Sequence, residues 1–248
     1  MRRFGLIGFP LNHSFSPGYF SKKFADEGLH DCVYESYPLT SINELRQLLE
    51  KHKDLEGLNV TIPYKKKVIR FLDEGSDEVK QMVACNCIKI KDGKLIGYNT
   101  DVTGFELSLV SLLKPHHIKA LVMGTGGAAA AIKFVLNKLK IDFLFVSRYK
   151  KLGKNFMTYP QVTKNLLKEY NLIINTTPLG MYPNVDEFPA IPYQYLTNQH
   201  YLFDCVYNPA ETMFLKKGKE QGAITKNGED MLVIQADESW RIWNGKEK

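Results

Sequence analysis

The 248-residue sequence predicts an α/β protein made of two successive units with largely parallel sheets. Three observations carry that reading. Short apolar or β-branched runs alternate with helix-period segments along the chain. The alternation breaks at Lys114-Pro115 and starts afresh at about residue 118. The restarted half opens with a strand that runs into a Gly-rich turn and an Ala-rich helix. No segment is of low complexity, and no solenoid period of ~20–50 residues recurs.

In the first half the pattern reads as a strand at 3–9, a helix from about Ser16 to Glu27, a strand at 32–37 and a helix at 41–52. A strand at 57–62 follows, then a helix from about Tyr64, another around Asp77–Met82, and a hairpin of Cys85–Lys91 with Lys94–Tyr98. The hairpin turns at Asp92-Gly93, a dipeptide that tolerates positive φ. Asp101 stands where an N-cap belongs, ahead of Phe105, Leu109, Leu112 and Leu113 at helical spacing. That helix must stop before Lys114-Pro115, because proline restricts the residue preceding it. The second half reads as strand 118–123, helix 127–139, strand 141–147, strands Asn171–Asn175 and Tyr201–Val206, a helix at about 211–221 and a last helix over roughly Glu229–Trp243. Between Arg148 and Asn171 no long helix is legible, and Tyr159-Pro160 makes a break. The boundary falls near residue 100: one domain over 1–100, to which 229–248 returns, and a second over 101–228.

Composition narrows the class. Hydrophobic residues at 44% and charged residues at 24% are ordinary for a globular protein. No run approaches the ~18 apolar residues of a membrane span, and Met1–Pro10 lacks the apolar core of a signal peptide and reads as a first strand. The four cysteines do not make a disulfide framework, and Cys85 and Cys87 lack the further ligands a zinc site needs. Free thiols and the absence of a leader point to the cytoplasm. The net charge of +6 is spread along the chain rather than striped, which favours a small anionic ligand over nucleic acid. No metal and no membrane contact are expected.

Gly124-Thr125-Gly126-Gly127-Ala128-Ala129 follows the strand and opens the helix. Gly124 allows the tight turn, Gly126 allows close approach of a pyrophosphate, and small Ala129 lets helix and strand pack closely. The helix N-terminus adds unpaired N–H groups. The next strand ends in Ser147-Arg148-Tyr149-Lys150-Lys151 rather than in a carboxylate. A carboxylate there would bind a ribose 2′-hydroxyl, whereas the Arg148 fork suits a 2′-phosphate. The cofactor expected is therefore NADP.

Four further segments carry polar residues. Ser14 and Ser16 precede a helix; they fit a carboxylate, and Ser16 with Pro17 equally fits a simple helix cap. Asn59-Val-Thr61-Ile-Pro63-Tyr64-Lys65 puts a lysine at an expected helix start, against the helix dipole. Asn86 lies in the hairpin, and Asn99-Thr100-Asp101 at the domain junction, where Asp101 fits capping as well as chemistry.

Taken together and in order, these motifs resemble the shikimate dehydrogenase family. They are Gly-x-Pro-x-x-His-Ser-x-Ser-Pro at 8–17, Asn-Val-Thr-Ile-Pro-Tyr-Lys at 59–65 and Gly-Tyr-Asn-Thr-Asp at 97–101, then Gly-Thr-Gly-Gly-Ala at 124–128, Asn-Thr-Thr-Pro-Leu-Gly-Met at 175–181, Asp-Cys-Val-Tyr-Asn-Pro at 204–209 and Gly-x-x-Met-Leu-x-x-Gln at 228–235. The resemblance implies an N-terminal α/β substrate domain followed by a Rossmann-type doubly wound NADP-binding domain, with the C-terminal helix packing back on the first domain. It implies reversible NADPH-dependent reduction of 3-dehydroshikimate to shikimate by a monomer or homodimer. Lys65 and Asp101 would be the catalytic pair. Ser14, Ser16 and Thr61 would bind the substrate carboxylate with Tyr207, and Asn86, Asp101 and Gln235 the ring hydroxyls. Gly124, Thr125, Gly126, Gly127 and Ala128 would take the pyrophosphate, Ser147 and Arg148 the ribose phosphate, and Cys205 and Gly228 the nicotinamide. His13 is expected to be structural. The chain departs from the family pattern at Phe20, Cys87, Ser147 and Tyr149. Rival readings are a quinate/shikimate dehydrogenase of broader specificity and a noncatalytic NADP-binding regulatory module; retention of both Lys65 and Asp101 argues against the latter.

Overall fold

The computed structural model describes residues 1–12, 14–149, 151 and 153–246. His13 and Lys150 lie outside the described residues. The chain divides into two compact units, Met1–Gly104 with Leu232–Lys248, and Phe105–Met231.

The first unit opens with β1 (Arg2–Gly8), α1 (Phe15–Asp26), β2 (Cys32–Pro38), α2 (Leu45–Lys51) and β3 (Leu55–Val60). It continues with β4 (Glu74–Gly75), α3 (Asp77–Met82), β5 (Cys87–Lys91), β6 (Lys94–Tyr98) and the start of α4 (Thr100–Val110). Its six strands are ordered β2-β1-β3-β5-β6-β4. β1 is parallel to β2 and β3, whereas β5 runs antiparallel to both β3 and β6. The β5–β6 turn has positive φ at Asp92 (51°) and Gly93 (77°), as the Asp-Gly dipeptide predicts.

Three local expectations are corrected here. No α-helix starts at Tyr64; a 3-10 helix spans Lys67–Phe71 instead. The Tyr64 ring is buried, with its hydroxyl donating to the Leu39 carbonyl at 2.6 Å. The Lys65 carbonyl is taken by the Cys85 N–H at 2.8 Å, so it cannot begin a helical ladder. The argument that Lys65 opposes a helix dipole therefore loses its premise. Asp101 is not an N-cap, because α4 already includes Thr100. Nor does Ser16 cap α1: Ser14 holds the N-cap position, without a side-chain capping bond.

One face of this sheet is covered by an aromatic cluster. Phe20 and Phe24, four apart on α1, pack with Phe4 and Tyr34 against Trp240 and Trp243. Phe4 stacks on Trp243 at 4.9 Å between ring centroids, and Phe20 on Tyr34 at 4.5 Å. The two tryptophans belong to the last helix, whose residues from Leu232 onward are part of this unit. Trp243 Nε1 donates to the Ile88 carbonyl at 3.0 Å, which satisfies its one polar atom.

In the second unit the order is β7 (Lys119–Met123), α5 (Ala129–Lys138), β8 (Asp142–Ser147), β9 (Phe156–Thr158), α6 (Lys164–Glu169) and β10 (Leu172–Asn175). Then come β11 (Tyr201–Asp204), α7 (Met213–Glu220), β12 (Ile224–Lys226) and the start of α8 (Glu229–Trp243). All pairings in its sheet are parallel, in the order β12-β11-β10-β7-β8-β9. This is the doubly wound order, with a switch point between β7 and β10. β9, α6 and β12 were not legible in the sequence. Each is six residues or shorter, too short for a period to register.

Candidate active site

Strand polarity assembles the site in the first unit. β3 ends where antiparallel β5 begins, and β6 ends at that same edge, so three distant segments arrive together. The ladder continues past the strands: Val60 N–H donates to Asn86 O at 2.8 Å, and Asn86 N–H to Tyr98 O at 3.1 Å. Lys65 and Asp101, 36 positions apart, meet there with Lys65 Nζ 2.6 Å from Asp101 Oδ2. Their side chains keep 22% and 11% of their accessible surface, enough for the pair to meet a ligand. Asn86 Nδ2 donates to the other carboxylate oxygen at 2.9 Å. One ammonium hydrogen is thereby committed and two remain.

Around this pair, Ser14 and Ser16 lie at the start of α1, both half-buried. Thr61 follows β3, its N–H bonded to Ile7 O at 2.9 Å and its methyl against Gly8, where a Cβ would collide with it. Gln235, on α8, is buried, and its Nε2 donates one hydrogen to Leu232 O at 2.9 Å. Tyr207 belongs to the second unit. Sequence reasoning passed over Asn59, Thr100 and Ser239, which are buried and bonded around Asn86. The first two stood inside quoted motifs. Ser239 had only its spacing of four from Gln235 on one helix face to mark it.

In the second unit a cavity of about 390 Å³ opens at the switch point, between the ends of β7, β8 and β10. Gly124, Thr125, Gly126, Ser147, Arg148 and Lys151 contribute to its wall. Gly124 has φ +94°, and a Cβ on it would come within 2.8 Å of Thr177, so only glycine fits. A Cβ at Gly126 or Gly127 would meet nothing within 4 Å, so the turn faces open space. Arg148 is exposed at the end of β8, and Lys151 Nζ reaches Thr125 Oγ1 at 2.5 Å. Open glycines at a helix start beside two cations are the chemistry a phosphorylated dinucleotide needs. Ser147 is buried and donates to Tyr149 O. Thr176, Thr177 and Lys151 also line the cavity, though sequence reasoning gave them no role.

The loops after β10 and β11 are tied together by Asp204. Its carboxylate accepts from Asn175 Nδ2 at 2.9 Å, Val206 N–H at 3.0 Å and Thr212 Oγ1 at 2.6 Å. Burial nevertheless dominates, pushing its carboxyl up to about 6. Cys205 and Gly228 adjoin one another: a Cβ on Gly228 would collide with the Cys205 carbonyl. In the first unit burial pushes the Cys85 thiol up to about 12 and Cys87 higher, so neither is a ready nucleophile. No helix among the described residues is long and apolar enough to cross a membrane.

Comparison with known proteins bears on both units. The family model of the shikimate dehydrogenase substrate binding domain matches residues 6–88. An NADP(+) shikimate dehydrogenase from Carboxydothermus hydrogenoformans is 38% identical, over 97% of this chain and 91% of its own. A crystal structure of a shikimate dehydrogenase in complex with NADP+ superposes with a TM-score of 0.86 at 34% identity, covering 99% of this chain and 90% of that one. The Listeria monocytogenes shikimate 5-dehydrogenase, solved with shikimate and NAD, gives 0.89 at 27% identity, covering 100% and 93%.

Proposed function

Because this chain belongs to the shikimate dehydrogenase family, we propose that it interconverts shikimate and 3-dehydroshikimate with NADP as cofactor. The observation that carries the reading is the Lys65–Asp101 contact of 2.6 Å, braced by Asn86 at the same strand edge. The first domain, 1–100 with 229–248, binds the substrate, and 101–228 binds the cofactor. Bound NADPH supplies the hydride. Charge then develops on the substrate oxygen, and the Lys65 ammonium polarises that oxygen and donates its proton. Asp101 holds the ammonium in place and, with Asn86 and Gln235, orients the ring hydroxyls. Ser14, Ser16 and Thr61, with Tyr207, take the substrate carboxylate. Gly124–Ala128 receive the pyrophosphate, Ser147 and Arg148 the 2′-phosphorylated ribose, and Cys205 and Gly228 the nicotinamide. Two basic side chains at the end of β8, Arg148 and Lys151, support NADP over NAD.

The working protein is a cytoplasmic monomer or homodimer whose partner is this small molecule rather than nucleic acid. The deciding experiment follows NADPH absorbance with 3-dehydroshikimate, then compares shikimate with quinate and NADP with NAD in the reverse direction. Turnover of shikimate with NADP is expected to exceed the other three combinations. No absorbance change with 3-dehydroshikimate would overturn the reading, and equal rates with quinate would replace it by the broader specificity.

A further inference from the structure

Behind the Lys65–Asp101 pair lies a buried chain of polar groups whose donors and acceptors can be assigned one by one. Tyr34 donates its hydroxyl hydrogen to Asn59 Oδ1 at 2.8 Å, and burial holds that phenol protonated. The Asn59 amide is thereby oriented, and its Nδ2 donates to Ser239 Oγ at 2.9 Å. Ser239 has one hydroxyl hydrogen, and the Gln235 carbonyl, one turn back on α8, takes it at 2.9 Å. In the contact of Thr100 Oγ1 with Ser239 Oγ at 3.2 Å, Thr100 is therefore the donor. Thr100 in turn accepts from Asn86 Nδ2 at 3.0 Å, while its own N–H donates to Asn86 Oδ1 at 2.6 Å. That backbone bond fixes which end of the Asn86 amide is nitrogen. The second Asn86 hydrogen then points at Asp101 Oδ1.

The hydroxyl of Thr100 has two other acceptors in range: Asn86 Oδ1 at 3.3 Å, which already takes the Thr100 N–H, and an oxygen of Gln235. Gln235 Oε1 stands 3.4 Å away, slightly farther than Ser239. Gln235 gives one of its two amide hydrogens to Leu232 O, so its oxygen and the second hydrogen are what it can offer a ligand. Without Ser239, the Thr100 hydrogen would be left to Asn86 Oδ1, already engaged by the Thr100 N–H, and to that Gln235 oxygen, which it would then occupy for part of the time.

We propose that Thr100 and Ser239 are positioning residues of this site. Their hydroxyl pair holds the Asn86 amide against Asp101 and keeps the Gln235 side-chain oxygen open for a substrate hydroxyl. The proposal rests on the functional reading above. Thr100 is 1% exposed and Ser239 0%, so both act through Asn86 and Gln235 rather than by touching substrate.

The two residues predict different kinetic signatures. Thr100→Val keeps the shape and the backbone bond but removes the acceptor of Asn86. It should lower kcat for shikimate oxidation about tenfold, with KM for NADP+ within about twofold of wild type. Thr100→Ser, which keeps the hydroxyl, should recover to within about threefold. Ser239→Ala should instead raise KM for shikimate about fivefold and leave kcat within about threefold. A Thr100→Ser enzyme as slow as Thr100→Val overturns the proposal, as do Thr100→Val and Ser239→Ala enzymes indistinguishable from wild type. Should Thr100→Val fail to fold, Ser239→Ala decides alone, an unchanged KM for shikimate overturning the proposal. Wild-type protein inert towards shikimate would sink the functional reading by itself. The geometry would then be judged by the Asn86 side-chain amide resonances. Slow exchange with solvent in wild type and fast exchange in Ser239→Ala support it; equal rates overturn it.

Discussion

At the scale of single residues, the proposed chemistry rests on the Lys65 ammonium and the Asp101 carboxylate that holds it. Lys65→Ala removes the proposed proton donor while leaving in place Ser14 and Ser16, proposed to bind the substrate carboxylate. Turnover should fall ~10²–10⁴-fold, with substrate binding within about tenfold of wild type. A variant that keeps more than half of the wild-type kcat would remove Lys65 from the donor's role. Asp204 allows a second prediction, about pH. Its carboxyl is raised from an ordinary 3.8 to about 6 by burial, so the folded state binds its proton more tightly than the unfolded state. The stability this carboxyl contributes is full below about pH 4 and lost as pH rises to about 6, which corresponds to up to about 3 kcal/mol. Asp204→Asn keeps an oxygen for Asn175 and Val206 and should abolish that falling component. Urea midpoints of variant and wild type measured from pH 4 to 6 check this, and parallel curves would refute it.

At the scale of elements, aromatic packing holds α8 to the first sheet. Trp243 lies directly over Gly57 of β3, where a Cβ would collide with the indole. The same ring donates to Ile88 O and stacks on Phe4, so it cannot swing aside without losing both contacts. Gly57→Ala should therefore cost about 1–3 kcal/mol, the usual range for overpacking a close-packed interior. It should also slow turnover, because α8 carries Gln235 and Ser239. Both tryptophans of the chain, Trp240 and Trp243, sit in this cluster, so their fluorescence during urea unfolding follows the first unit. A variant within about 0.5 kcal/mol of wild type, the range of inert surface changes, would contradict the packing argument. Elements with a strong pattern were legible in the sequence: the β5–β6 hairpin from Asp-Gly, α8 from its periodicity, and the strand–turn–helix at Gly124 from its glycines. Where the reading failed, at Tyr64–Lys66, a tertiary bond from Cys85 N–H to the Lys65 carbonyl outweighed local preference.

At the scale of the whole molecule, pH should act unequally on the two units. His117 and His200, both in the second, are buried and held neutral. Each ring accepts a backbone N–H at Nδ1, from Lys114 at 2.9 Å and Thr197 at 3.0 Å, so Nε2 must be the donor to Gln199 O and to Leu167 O. Burial lowers the pKa of both rings. The unfolded chain thus takes up protons first as pH falls below about 6.5, and the stability these rings contribute, full above that value, is lost towards their folded pKa values. In an Asp204→Asn background, which removes the opposing carboxyl, amide exchange in β7 and β10 should be faster at pH 5.5 than at pH 7.5, after correction for intrinsic rates. Adding His117→Gln and His200→Gln should flatten the difference. Equal protection at both values in that background would refute the account. By itself the sequence determined the α/β class, the motif order, the Gly-rich turn and the choice of Lys65 and Asp101 as the proposed pair. Those depend on periodicity, glycine geometry and residue chemistry, all local properties of the chain. The tertiary structure alone decided that β5 pairs antiparallel with β3. That polarity carries Lys65, Asn86 and Asp101 to one edge and puts Thr100 and Ser239 behind them. The β3–β5 pairing and the hydrogen-bond partners around Asn86 join segments far apart in the sequence, and no window along the chain contains that information.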